Sequence, residues 1–115
     1  MKIALTVWDE RISPVFDSAH TLLIADIKNE KIKNISYKSF DPELEARFAE
    51  ELSLLGIEVL ICGAISQTYS TLIEARTIQL IPFIGGNVNE ILELYAKGNP
   101  LVPTFLMPGC SEEGF

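Results

Sequence analysis

The sequence predicts an α/β fold, a three-layer α/β/α structure built on a five-stranded mixed sheet in the order βββαβαβα. In the first third, two β-rich segments are joined by the tight Asn29-Glu30 connection, which indicates an antiparallel hairpin. From residue 41 onward, helical periodicity alternates with short segments that are apolar throughout. Such segments are typical of parallel strands covered by helices on both faces.

Three strands are predicted in the first third, before any helix. They span residues 2 to 8, 21 to 28 and 31 to 39, and the segment from Asp9 to His20 is an ordered loop between the first two. Their β-branched and aliphatic content favours a largely buried first strand. The last of the three carries Ile32, Ile35 and Tyr37 among Lys and Ser.

Helices and short strands alternate in the rest of the chain. The first helix begins at Asp41-Pro42 and ends at Gly56, which can adopt a positive φ. Ser66 is predicted to cap the second helix, and Asn87 with Glu90 forms a capping-box-like pair for the third. The strands between them span residues 59 to 62 and 78 to 83. Residues 1 to 100 then form one domain, and residues 101 to 115 form a tail that carries Met-Pro-Gly-Cys.

Composition narrows the classes of function. The 115 residues are 48% apolar, enough for one core, and sixteen acidic residues against nine Lys plus Arg give a net charge of -7. That charge repels nucleic acid and anionic membranes, so neither is expected as a partner. Two cysteines and a short apolar N-terminal run favour the cytoplasm over a disulfide-rich secreted setting. The composition does not indicate an oligomeric state.

Standard catalytic motifs are absent: the sequence has no phosphate-binding loop, dinucleotide-binding turn, nucleophile elbow or Cys-x-x-Cys. This absence favours a binding protein over an enzyme. A weaker alternative is a metal-dependent nuclease, whose clustered carboxylates would be Asp9, Asp17 and Asp26. A nuclease must attract a polyanion, and the net charge opposes that, so these side chains are better explained as loop caps.

A ligand is expected beyond the carboxyl ends of the parallel strands, where three segments converge. They are the Asp9-to-Ala19 loop, Cys62-Gly-Ala-Ile-Ser66, and Ile84 to Asn87. Gly63 and the pair Gly85-Gly86 can expose backbone amides to an anion, or can merely allow tight turns before a helix. Both interpretations are open from the sequence.

These same residues resemble the dinitrogenase iron–molybdenum cofactor biosynthesis family. The opening strand followed by Ser13-Pro-Val-Phe-Asp-Ser-Ala19, then Cys62-Gly-Ala-Ile-Ser66, Gly85-Gly86 and Leu106-Met-Pro-Gly-Cys110, is similar to segments of that family in the same order. The resemblance implies a ribonuclease-H-like fold and a carrier of an iron–sulfur or iron–molybdenum cluster without turnover. It also implies partners that donate or accept the cluster.

Within that resemblance, Cys110, Cys62 and His20 are the candidate metal ligands, because thiolate and imidazole suit iron centres. Each has a plainer alternative: Cys110 as a free thiol in a loose terminus, Cys62 as a small core hydrophobe, and His20 as a hydrogen-bonded surface side chain. The surrounding loops supply the remaining ligand-binding candidates, which are Ser13, Phe16, Asp17, Gly63, Gly85, Gly86 and Asn87.

The chain departs from many relatives at two places. It lacks a Gly- and His-rich loop before the first helix, and its end, Ser111-Glu-Glu-Gly-Phe115, is acidic. Both departures remove possible ligands or positive charge. They motivate two alternatives on the same fold: a protein–protein adaptor that has lost metal affinity, and a regulator that binds a small anion at the glycine turns.

Overall fold

The computed structural model describes residues 1–39, 45–102 and 104–107. Within these residues there are six strands, three α-helices and one 3₁₀ turn at Phe16–Ser18. The strands are β1 (Lys2–Trp8), β2 (Arg11–Ile12), β3 (Thr21–Lys28), β4 (Lys31–Ser39), β5 (Val59–Ile61) and β6 (Gln79–Ile81). The helices are α1 (Glu45–Leu54), α2 (Gln67–Glu74) and α3 (Val88–Ala96). The predicted start of the first helix at Asp41-Pro42 lies outside the described residues.

The strands form one mixed sheet with the path β4-β3-β1-β5-β6. Strands β3 and β4 are antiparallel to their neighbours, whereas β1, β5 and β6 run parallel. Strand β2 pairs with the end of β1, folding back after a turn at Asp9-Glu10, with Asp9 at a φ of 56°. The carboxyl ends of β1, β5 and β6 therefore meet at one edge of the sheet.

Helices cover both faces of the sheet, as the apolar β5 segment predicts. On one face α3 packs against β1, β3 and β5 through side chains that include Ile3, Leu23, Ile61 and Ile91. On the other face α1 and α2 pack through residues that include Phe48, Leu52 and Ile73. Within the described part of the chain, no helix is long and apolar enough to cross a membrane.

The α/β class and the bounds of β1, β3 and β4 are confirmed, but the five-strand count is wrong. The additional strand is β2, a two-residue pairing within the Asp9-to-His20 segment, for which the sequence predicts an ordered loop and no strand. The last two strands are also shorter than predicted. Cys62 follows β5, and β6 ends before Pro82, which has no amide hydrogen to continue a ladder.

The segment after α3 also packs on the domain. Leu101 is buried in the core on the α3 face. Ile84 and Leu106 form an antiparallel bridge, and the Met107 amide donates to the Phe83 carbonyl at 2.8 Å. The chain therefore reaches residue 107 beside the carboxyl end of β6.

Candidate functional site

The loop between β1 and β3 holds the three convergent segments together. Val15 forms a parallel bridge with Ala64, in which the Phe16 amide donates to the Ala64 carbonyl at 2.7 Å and the Ala64 amide donates to the Pro14 carbonyl at 2.9 Å. On its other side, Arg11 bridges Asn87, and the Ile12 amide donates to the Gly86 carbonyl at 3.0 Å. The predicted convergence is therefore present.

Glycine is required at position 63 because the backbone of the first loop approaches it closely. A Cβ atom at this position would lie 2.5 Å from the Pro14 carbonyl oxygen and closer still to that of Ser13. Any side chain would therefore push the first loop away from the end of β5. Ser13 is buried and contributes its backbone carbonyl to this approach, and its amide donates to the Thr6 carbonyl at 2.9 Å. Gly63 acts here through packing.

The turn before α3 uses its glycines for close packing as well. Gly86 has a φ of 126°, a region that side chains rarely adopt, and a Cβ there would meet the Phe105 ring at 3.1 Å. The Gly85 amide already donates to the Phe105 carbonyl at 2.8 Å. Asn87 caps α3, since its side chain accepts from the Glu90 amide at 3.1 Å, as the sequence predicts. The turn is thus built mainly from internal contacts.

Phe16 and Asp17 anchor the 3₁₀ turn to the α1–α2 face. The Phe16 ring is fully buried and packs against Phe48 and Tyr69, with centroids 5.3 Å and 5.7 Å apart. The Asp17 carboxylate accepts from the Ser66 amide at 3.3 Å. Ser66 occupies the predicted cap position of α2, but its own side chain makes no capping bond. Asp17 instead holds the amide of the cap residue itself, from 49 residues away.

A cavity of about 370 Å³ lies on the β3 side of the first loop. It is lined by parts of β1, the loop and the start of β3, namely Val7, Trp8, Ser13, Pro14, Val15, Ser18, Ala19, His20 and Thr21. His20 is exposed, and Trp8 is 67% exposed. The lining of this His20 cavity is mainly apolar and includes an imidazole and hydroxyls, a composition suited to a small ligand. Neither Cys62 nor the glycine turns line it.

Cys62 is placed among core side chains. It is 0% exposed, in the cluster that includes Phe16, Leu60 and Ile73. Burial, reinforced by the nearby Asp17 carboxylate, raises the pKa of its thiol to about 12. A thiolate is the form that binds metal. The geometry thus favours the small-hydrophobe interpretation of Cys62 over ligation.

The remaining candidate ligand, Cys110, lies outside the described residues. Among the residues that are described, no group of three or more His, Cys, Asp or Glu side chains is close enough to hold a metal ion. Sequence reasoning missed two features of the site. These are the bond from the Ser66 amide to Asp17 and the exposure of Trp8 beside His20, and neither has a local sequence signal.

Phe83, at the end of β6, has a φ of 60° although it is neither Gly nor Asn. Such a conformation costs on the order of 1 kcal/mol or more for a bulky residue. Its amide donates to the Gly63 carbonyl at 3.0 Å, and its carbonyl accepts from Met107. These bonds hold the backbone in this conformation at the sheet edge.

Similarity to solved structures supports the same fold. The crystal structure of PH0822 superposes with a TM-score of 0.77 at 15% identity, covering 86% of this chain and 92% of that one. A putative dinitrogenase from Methanocaldococcus jannaschii gives 0.68 at 22% identity, covering 87% and 97%. A putative NifB protein from Thermotoga gives 0.65 at 20% identity, covering 94% and 98%. At these identities the likeness shows the fold alone. No curated protein matches the sequence.

The family model "Dinitrogenase iron-molybdenum cofactor" matches residues 1–98. The match spans β1 to the end of α3, including His20, the Gly63 approach and the Gly85-Gly86 turn. It ends before Cys110, so the resemblance of the last segment stays a prediction. The chain therefore belongs to the dinitrogenase iron–molybdenum cofactor family.

Proposed function

We propose that this protein binds a preformed iron–sulfur or iron–molybdenum cluster as cargo and passes it between partner proteins, without catalytic turnover. The observation that carries the proposal is the His20 cavity at the carboxyl edge of the sheet, in a chain whose family handles the iron–molybdenum cofactor. The only histidine of the sequence faces this cavity. Imidazole is a suitable ligand for an iron site of such a cluster.

The donors of the chain fit a cluster held by few protein ligands. His20 is the candidate donor among the described residues, since Cys62 is buried as a neutral thiol. Cys110 is the proposed second ligand. It follows Met107 by three residues, a span of at most about 11 Å of extended chain. Met107 is hydrogen-bonded to Phe83 at the same edge of the sheet.

A carrier with few ligands suits transfer better than storage. Cluster positions not bound by the protein stay open to a small thiol or to the recipient, so release requires the exchange of only one or two bonds. The first loop is fixed by backbone bonds to Thr6, Ala64 and Gly86. A fixed loop keeps the His20 cavity in one shape, and this lowers the ordering cost of binding.

Anaerobic reconstitution with iron and sulfide tests the proposal, followed by visible absorption and by metal analysis. We expect a charge-transfer band and stoichiometric iron in the natural sequence. Both should decrease in His20→Asn and in Cys110→Ser. Cys62→Ala is the matched control, because it removes the other thiol of the chain, and its loading should be unchanged.

Equal loading of all four proteins would contradict the proposed ligands. A metal-free natural protein that still folds would contradict cluster binding itself. That outcome would favour the adaptor alternative. The absence of a three-donor group among residues 1–39, 45–102 and 104–107 also favours the adaptor. For the small-anion alternative, the Ala64 and Gly85 amides already donate to backbone carbonyls, which leaves fewer donors for an anion.

A further inference from the structure

Strand β4 forms a long edge of the sheet. Among the residues that the structure describes, it lies at the end of the strand path and pairs with β3 alone, which leaves its other side unpaired. Its nine residues exceed the usual strand length of about five or six. All of them are exposed except Ile32, which is partly buried. Proteins usually shorten or cover such edges, because unpaired backbone groups invite another strand.

Charge is distributed unevenly between this edge and the rest of the chain. Strand β4 carries Lys31, Lys33 and Lys38 and no acidic residue. The whole chain has nine Lys plus Arg, so six remain elsewhere against sixteen acidic residues. The edge strand is therefore positive on an otherwise acidic protein.

The register places the three lysines on one face of the sheet. Residues directly opposite each other on paired strands point to the same face. Lys38 is opposite Leu22, which packs on the α1–α2 face. Lys33 and Lys31 are opposite Asp26 and Lys28, which share that face with Leu22 by alternation along β3.

The opposite face of β4 is apolar. Tyr37 is opposite Leu23 and Ile32 is opposite Ile27, and both partners pack on the α3 face. Ile35 lies on the same face by alternation with Tyr37. Tyr37 is 66% exposed and Ile35 52%. The register of β4 shifts at a bulge at Asn34-Ile35, where Asn34 has a φ of 54°. Because of this bulge, the lysines stay on one face of the sheet and the apolar side chains on the other.

We propose that β4 is a docking edge for an extended segment of a partner protein in which acidic and apolar residues alternate. Such a segment adds a strand to the sheet through main-chain hydrogen bonds. Its carboxylates lie beside the lysines on one face, and its apolar side chains lie beside Ile35 and Tyr37 on the other. The alternation follows from the two-residue period of a strand.

The charge distribution disfavours the competing occupants. Positive charge on an edge is a common protection against uncontrolled pairing. Nucleic acid would meet three lysines on a protein of net charge -7. An acidic strand is attracted by the edge and gains backbone pairing as well.

The test measures fluorescence anisotropy of a labelled Glu-Val-Glu-Val-Glu-Val peptide with the full chain at low ionic strength. A Glu-Glu-Glu-Val-Val-Val peptide has the same charge without the alternation. We expect saturable binding of the first, weaker binding of the second, and slower hydrogen exchange at β4 amides. Lys38→Glu should weaken binding about three- to tenfold, because an attraction becomes a repulsion.

The matched control is Arg76→Glu, which makes the same charge change beyond α2, and it should alter binding by less than about twofold, as for a distant surface charge. Equal affinity for the two peptides, equal weakening by both substitutions, or binding without protection of β4 would each show nonspecific attraction and overturn the proposal. Absence of binding at millimolar peptide would overturn it as well. None of these readouts depends on metal.

Discussion

Replacement of Gly63 by Ala tests how the site is held together. A Cβ atom there would lie 2.5 Å from the Pro14 carbonyl oxygen, whereas real Cβ atoms essentially never approach within 3.0 Å. The loop must therefore retreat by at least 0.5 Å, the difference between 3.0 and 2.5 Å. Two short bonds cross this contact, from Phe16 to Ala64 at 2.7 Å and from Ala64 to Pro14 at 2.9 Å.

The expected loss is large for a single methyl group. Losing two backbone hydrogen bonds costs about 1 kcal/mol each, and overpacking adds about 1–3 kcal/mol. The free energy of unfolding should fall by roughly 3–5 kcal/mol, a large share of the stability of a small domain. Urea unfolding followed by circular dichroism measures this change. Hydrogen exchange at Phe16 and Ala64 should become faster in the variant.

Gly98→Ala is the control for this prediction. Gly98 has a φ of 81°, and a Cβ atom added there would meet only open space. Ala at this position therefore costs only the left-handed backbone conformation, about 1–2 kcal/mol. If Gly63→Ala were no more destabilising than Gly98→Ala, the close approach would not be what fixes the loop. The steric reasoning would then be refuted.

Three further predictions concern single side chains. Because burial raises the pKa of Cys62 from 9.0 to about 12, only the unfolded chain ionises between these values, and stability is lost as the pH rises through that window. At pH 10 the natural protein should have lost about 1.4 kcal/mol of unfolding free energy relative to the Cys62→Ala variant. Urea unfolding of both proteins below this pH window and at pH 10 measures the difference. The same pH dependence in both proteins would contradict the prediction. Asn87→Ala should lower the free energy of unfolding by about 1 kcal/mol through the lost cap of α3, and Asn87→Asp should keep most of that stability. Equal melting temperatures of the two variants would contradict this prediction. Phe16→Ala should lower the free energy of unfolding by about 3–5 kcal/mol, whereas Phe16→Leu should lower it clearly less. Equal melting of these two variants would mean that the ring does not anchor the loop.

The elements that could be predicted are those whose signal is local. The bounds of β1, β3 and β4 follow from runs of β-branched and aliphatic residues between turns, and Gly56 and Gly98 end their helices with φ values of 76° and 81°. The three helices present their apolar stripes to the core at the predicted spacing. Convergence of three segments at one edge followed from the parallel arrangement alone.

Features that depend on distant partners could not be predicted. Strand β2 is two residues long, too short for any periodicity, and it exists because the loop folds back on β1. The acceptor for the Ser66 amide is Asp17, 49 residues earlier in the chain. Cys62 looks like a possible ligand in a Cys-Gly turn, and only the packing around it shows a fully buried thiol.

The two proposed surfaces lie at different parts of the sheet, and this separation has a functional consequence. The His20 cavity lies where β1 and β3 meet the first loop, whereas the docking edge runs along the outer side of β4. Strand β3 joins them, since its first residue, Thr21, lines the cavity and pairs with Ser39 at the end of β4. A partner strand seated on β4 would therefore pass close to the cavity wall formed by Thr21. A carrier benefits from that proximity, because its cargo has to reach the protein that is docked beside it.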